Sequence, residues 1–307
     1  MKSYRTYARL GLLAAASLAA VLLAPSAARA QQKMTAEELV AKHLASVGTR
    51  EALAANKSRL MQGQVTVTLK SGGSGQNTGL SVLFSKGHKS VIAMSFRNPN
   101  YPQDKFGFDG QNVSISYIKP GIRSEIGDYI KQREQLMKQG LMGGVLSTNW
   151  ALASLDEADA KVEFNGTDKL DGKPVYKLRY LPKKGSDIKI TMFFDQETFH
   201  HVRTEYQQMV SARTAQTLGA GRTPNSSGVD ASKEFQRELR LKMVEDFSDF
   251  KEVGGLTLPQ TYKISLDLER NQGGRFQADW VIKLEKFDYN QDLKDAWFDV
   301  NAETSGN

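Results

Sequence analysis

The chain has 307 residues, with 41 Lys and Arg against 34 Asp and Glu, four His and no Cys. Without cysteine there is no disulfide framework and no thiolate metal site, so stability has to come from a buried core. Of the surplus basic residues, Lys2, Arg5, Arg9 and Arg29 fall in an N-terminal leader, so the remainder is close to charge balance and lacks the concentrated basic face of a nucleic-acid binder.

That leader reads as a secretory signal over residues 1–30. Its basic start precedes an uncharged apolar run from Leu10 to Ala24 and then Pro25. Ala28 and Ala30 supply the small residues of a cleavage site after Ala30. The apolar run, about 15 residues, is shorter than the roughly 20 a spanning helix needs. The expected product is an exported, soluble, periplasmic chain.

Beyond the leader, Thr35 and Glu38 form a capping box in front of Leu39, Val40, His43, Leu44 and Val47, which share one helical stripe. Gly48 suits the helix stop, and Thr49 can cap a second short helix through Ala55.

A period of two then takes over. Val65, Val67 and Leu69 alternate with polar residues. So do Leu80, Val82 and Phe84, then Ile92, Met94 and Phe96, then Val113, Ile115 and Tyr117. The pattern resumes at Tyr176, Leu178 and Tyr180, and again at Ile188, Ile190, Met192 and Phe194. Leu239, Leu241 and Met243 follow, then Tyr262 through Leu268, then Phe276 through Leu284. Strict alternation predicts strands with one wet and one dry face. Asp109-Gly110, Asp171-Gly172 and Gly254-Gly255 supply hairpin turns between them. Strand following strand without helices predicts a mainly β, α+β fold built on a large antiparallel meander, curved because its dry face must be covered.

One insertion interrupts the strands. Between Ser124 and Leu155, Ile126, Ile130 and Met137 fall at helical spacing, ahead of Gly140-Leu141-Met142-Gly143-Gly144-Val145-Leu146 and Trp150. The segment is too apolar for a solvent loop. It predicts two or three short helices on the concave face, with a glycine-rich, mobile middle. Leu136, Met137, Leu141, Met142, Leu146 and Trp150, with Tyr262 and Trp280 on the dry face of the sheet, are the candidate lining of an apolar ligand space. The same residues also fit plain closure of the core, which the residues alone favour. Residues 31–307 read as one domain, with a flexible loop at about 211–232, rich in Ala, Gly, Ser and Thr.

Catalytic and metal signatures are missing from the sequence. His43, His88, His200 and His201 have no metal-binding spacing, and the adjacent pair points to opposite faces of a strand. No nucleophile elbow, P-loop or dinucleotide fingerprint occurs. The expectation is a protein that is not an enzyme and needs no metal or cofactor.

Several stretches in order carry a family resemblance: the opening helix and first strand from Arg59 to Leu69; Phe108-Asp109-Gly110-Gln111 ahead of the helical cover; Asp171-Gly172-Lys173-Pro174-Val175-Tyr176; Met192-Phe193-Phe194-Asp195; and Phe250 through Pro259. In this order the chain resembles the LolA/LolB-like outer-membrane lipoprotein-sorting proteins and the related sigma-factor regulator RseB. The resemblance implies an open half-barrel with helices over its concave side, and an apolar cavity for acyl chains of lipoproteins or other lipids. It implies a monomeric carrier, with envelope membrane proteins as further partners; a signalling module that binds a partner protein is the alternative. Arg59 and Arg97 are the candidates, by position, for the family's cavity arginine.

Overall fold

The computed structural model describes residues 34–155, 159–182, 187–211, 238–270 and 273–301. The predicted leader with its cleavage site at Ala28 and Ala30, and all but the first residue of the predicted loop at 211–232, lie outside the described residues.

Two helices open the described chain, α1 (Ala36–Val47) and α2 (Arg50–Ala55). Both caps form as the sequence requires: the Glu38 N–H donates to Thr35 Oγ1 at 3.1 Å, and the Ala52 N–H to Thr49 Oγ1 at 3.1 Å. Only half of the capping box is used, because the Glu38 carboxylate pairs with Lys42 at 2.9 Å.

Twelve strands follow in one antiparallel sheet. The first five are β1 (Ser58–Ser71), β2 (Gly75–Lys86), β3 (Lys89–Phe96), β4 (Gln103–Phe108) and β5 (Val113–Ile115). After the insertion come β6 (Lys161–Leu170), β7 (Lys173–Leu181), β8 (Lys189–Asp195), β9 (His201–Ser211), β10 (Glu238–Val253), β11 (Leu256–Glu269) and β12 (Arg275–Tyr289). Their spatial order is β5-β4-β3-β2-β1-β12-β11-β10-β9-β8-β7-β6. Two meanders are therefore joined along β1 and β12, with Val67 opposite Trp280. The sheet does not close: β5 and β6 are its opposite edges. It is the open half-barrel that the sequence predicts.

The turns follow local backbone chemistry. Asp171 and Gly172 have φ of 49° and 82°, and Gly254 and Gly255 of 60° and 80°. Positive φ at both positions is what a two-residue hairpin matched to strand twist needs. Edge strand β6 buries none of its residues and carries a bulge between Phe164 and Thr167, which twists the strand locally.

The predicted dry faces hold for most strands. Val65, Val67, Ile190, Met192, Met243, Ile264 and Ile282 are all buried. The phase of β2 is reversed. Ser81, Leu83 and Ser85 face the interior, while Leu80 is 66% exposed and Phe84 points outward. The cause is a second covered patch on the outer face. After β12 the chain runs back across β2–β5 through a short 3₁₀ turn at Asp295–Phe298. Leu293, Phe298 and Val300 pack there against Phe84, Val91 and Ala93. The Val300 N–H donates to Ser114 Oγ at 2.9 Å, which pins the segment. Both faces of β2–β3 are covered, so apolar residues of either phase find a partner.

Phe298 is fully buried in this outer patch, whereas neighbouring Trp297 is 46% exposed. Phe298→Ala should lower unfolding free energy by about 3–5 kcal/mol, and Trp297→Ala by less than about 0.5 kcal/mol. Urea titration of both variants checks this; equal losses would mean that the C-terminal segment is not packed.

Candidate functional site

The insertion connects opposite edges of an open sheet, so it has to cross the concave face. It does so as α3 (Glu125–Lys131), α4 (Gln135–Lys138) and two 3₁₀ turns at Gly144–Leu146 and Ala151–Ala153. Every predicted lining residue is buried beneath or within this cover: Leu136, Met137, Leu141, Met142, Leu146, Trp150, Tyr262 and Trp280.

They are strung along the cover, with different neighbours. Met142 and Leu146 meet Met61, Leu83 and Ile92 around a cavity of about 10 Å³, room for a single water molecule. Leu141 and Tyr262 converge on Glu245 and Tyr206. The Trp150 indole N–H donates to His43 Nε2 at 3.0 Å. The Trp280 indole N–H donates to the Tyr101 hydroxyl at 3.0 Å, near the start of the cover.

The cover is fixed by charged groups that the apolar reading missed. Among the described residues, the buried Asp, Glu, Lys and Arg side chains are Arg59, Asp104, Arg133 and Glu245. Each touches the cover or belongs to it. Asp104 accepts from the hydroxyls of Ser124 and Tyr101. Ser124 is also the N-cap of α3, accepting from the Gly127 N–H at 3.0 Å. Arg133, on the cover, donates to Gln208 Oε1 of β9 through Nε at 2.9 Å and Nη2 at 2.5 Å. Glu245 accepts the Gly143 N–H at 2.8 Å and the Tyr206 hydroxyl at 2.6 Å, and a third bond from Tyr262. Arg59 Nη1 donates to the Val145 carbonyl at 2.5 Å. Arg97, the other candidate arginine, is exposed at the end of β3 and has no part in the site.

Glycine is required where the clamp acts. Gly143 and Gly144 have φ of 79° and 51°, a region costly for residues with a Cβ. A Cβ on Gly144 would also lie 3.0 Å from both His201 Nδ1 and the Phe247 ring.

Burial shifts the titration of these groups. It pushes the Asp104 carboxyl up to about 6, against the hydroxyls that favour its charged form. It raises Glu245 as well, countered by the Gly143 N–H and the two tyrosines. It lowers His43 to about 4, so this imidazole is neutral, with Nδ1 bonded to the Phe199 carbonyl at 3.0 Å. His201, stacked on Trp150 at 4.9 Å, is lowered too, mainly by burial. Among the described residues no group of three His, Asp or Glu side chains could hold a metal ion.

No family model matches the chain, and no curated protein matches it. Solved structures do. A LolA superfamily protein from Nitrosomonas europaea aligns at 14% identity and TM-score 0.44, covering 86% of this chain and 97% of that one. An outer membrane lipoprotein-sorting protein domain from Vibrio parahaemolyticus aligns at 13% and 0.40, covering 84% and 97%. MucB in the Pseudomonas aeruginosa MucA/MucB complex aligns at 10% and 0.22, covering 82% and 99%.

Arg59 is one of the two predicted cavity arginines and is buried against the cover; Asp104, Arg133 and Glu245 were not anticipated. The sequence carried a signal for two of them: Glu245 continues the dry phase of Leu239, Leu241 and Met243, and Asp104 that of Phe106 and Phe108. A charge at a dry position marks a buried polar contact.

The Asp104 shift sets a pH dependence. With a folded value near 6, above the ordinary 3.8, the native chain holds a proton that the unfolded chain has released. Stability from this group is therefore present at low pH and falls as pH rises through about 4–6. His43 acts oppositely, contributing above about 6.5 and losing that contribution as pH falls towards 4. Asp104→Asn removes only the first effect. Its stability relative to the parent should rise by about 3 kcal/mol between pH 4 and 7. A gap that stays flat in urea titrations across that range would show that this carboxyl titrates normally.

Proposed function

We propose that the protein is a non-enzymatic periplasmic carrier of acyl chains, taking lipid or the lipid moiety of lipoproteins between the cover and the concave face of the half-barrel. One observation carries the reading: a segment of short helices and 3₁₀ turns, not another layer of sheet or a long helix, closes an apolar concave face. The closed form leaves a cavity of about 10 Å³ beside Met142 and Leu146, against the several hundred Å³ of ordinary ligand sites. Uptake on this reading requires the cover to lift, with Gly140, Gly143 and Gly144 as its pivots. Each 100 Å² of apolar surface that an acyl chain hides would contribute about 2.5 kcal/mol, the driving force for displacing the cover.

A second reading, a signalling module that binds a partner protein, draws on a different feature. The edge strand β6 exposes six of its ten residues and buries none, and a partner strand could pair there.

A cross-link separates the two. The Thr148 N–H donates to Ser85 Oγ at 2.9 Å, cover to sheet, and the chain has no native cysteine. Ser85→Cys with Thr148→Cys should form a disulfide that holds the cover shut. The oxidised protein should lose binding of a fluorescent fatty acid by more than about tenfold, and reduction should restore it. Equal binding in both redox forms would refute uptake beneath a moving cover. No binding by the reduced or parent protein would leave partner binding as the better reading.

A further inference from the structure

The Gly143–Val145 stretch is held from both ends by buried charges of opposite sign. At one end its N–H meets the Glu245 carboxylate at 2.8 Å. Two residues on, its carbonyl meets the Arg59 guanidinium at 2.5 Å. No salt bridge joins either charge to another side chain among the described residues. Arg59 has the Asn56 side chain as its other hydrogen-bond partner, at 3.4 Å, and Glu245 has the hydroxyls of Tyr206 and Tyr262. A further hydroxyl, that of Tyr129, is buried without a hydrogen-bond partner and lies within electrostatic reach of Glu245.

Lifting the cover removes one partner from each charge. An apolar chain sliding in would leave a carboxylate and a guanidinium facing hydrocarbon, a costly arrangement. A purely anionic head compensates Arg59 and repels Glu245; a purely cationic head does the reverse. Only a head with both signs replaces what the cover's backbone gave up.

We infer that the concave face selects amphiphiles with a zwitterionic head, a cationic amine beside Glu245 and an anionic group beside Arg59. This rests on the carrier reading and names its ligand class. Two residues separate the two contacts on the cover, a span that an ammonium joined to a phosphate or carboxylate by a short linker can bridge. The tyrosine hydroxyls around Glu245 supply further donors and acceptors to such a head.

The test uses three amphiphiles with one chain length: dodecylphosphoethanolamine (zwitterionic), dodecanoate (anionic) and dodecylammonium (cationic). All are measured below their micellar concentrations by calorimetry on the full protein. The zwitterion should bind at least about tenfold more tightly than either single-charge form, the value of one charged hydrogen bond. Glu245→Gln should move the preference towards dodecanoate, and Arg59→Gln towards dodecylammonium, with folding checked by circular dichroism. The series on the parent protein decides the matter even if a variant fails to fold. Three equal affinities, or tightest binding of a singly charged form, would overturn the zwitterion clamp and leave the carrier reading standing. No binding of any of the three would overturn both.

Discussion

Everything about the concave face depends on four charges that water does not reach. Taking a carboxylate or guanidinium out of water costs several kcal/mol unless polar partners replace the lost solvation. Here one segment supplies a partner to three of them and carries the fourth. Asp104 finds the cap of α3, Glu245 the N–H of Gly143, and Arg59 the carbonyl of Val145. Arg133 approaches from the cover and finds Gln208 of the sheet. The cover is thus the solvent of the buried charges, and the charges set where the cover sits. Apolar contacts alone are non-directional and would tolerate a shift along the face; hydrogen bonds to fixed charges do not.

Topology makes that placement necessary. Because β1 pairs with β12, the two meanders grow outward from a shared seam and end at opposite edges, β5 and β6. The chain has to travel from one edge to the other. Through the interior it covers the dry face of the sheet with a connection that is needed in any case. The path runs tight against the sheet's side chains at its middle: a side chain at Gly144 would press on the His201 and Phe247 rings. The clamp requires left-handed backbone at Gly143 and Gly144, and the crossing leaves no room for a Cβ at Gly144. Glycine answers both demands with one residue type.

Much of this was legible in the sequence. Alternation gave nine of the twelve strands and passed over β4, β6 and β9, the turn dipeptides gave the hairpins, and the insertion stood out by its apolar helical spacing. The phase of β2 was misread because periodicity reports which residues are apolar, not which side is inside. Phe84 is apolar because Phe298 covers it from outside, and nothing near β2 announces a segment more than two hundred residues away. Ser81 and Ser85 looked like a wet face and lie under the cover, where Ser85 Oγ accepts the Thr148 N–H. The buried charges follow the same logic in reverse. Glu245 sits in phase with Leu241 and Met243, so its position predicts burial while its chemistry forbids it unless a partner exists. A contradiction of that kind locates a site. It does not identify the partner, since Gly143 is a hundred residues distant and contributes only backbone.

A cover held by buried polar bonds can also be released in a way that a hydrophobic plug cannot. Apolar packing is lost in proportion to area, so a plug opens gradually and leaves its whole surface to water. The clamp is discrete. Each bond from cover to sheet has a donor and an acceptor, so on the carrier proposal a ligand with matching groups would replace them one at a time. Burial already holds Asp104 and Glu245 above the ordinary carboxylate range and His43 and His201 below the ordinary imidazole range. Protonation at one pair and charging at the other therefore pull in opposite directions as pH changes. The cover is held between these opposing demands.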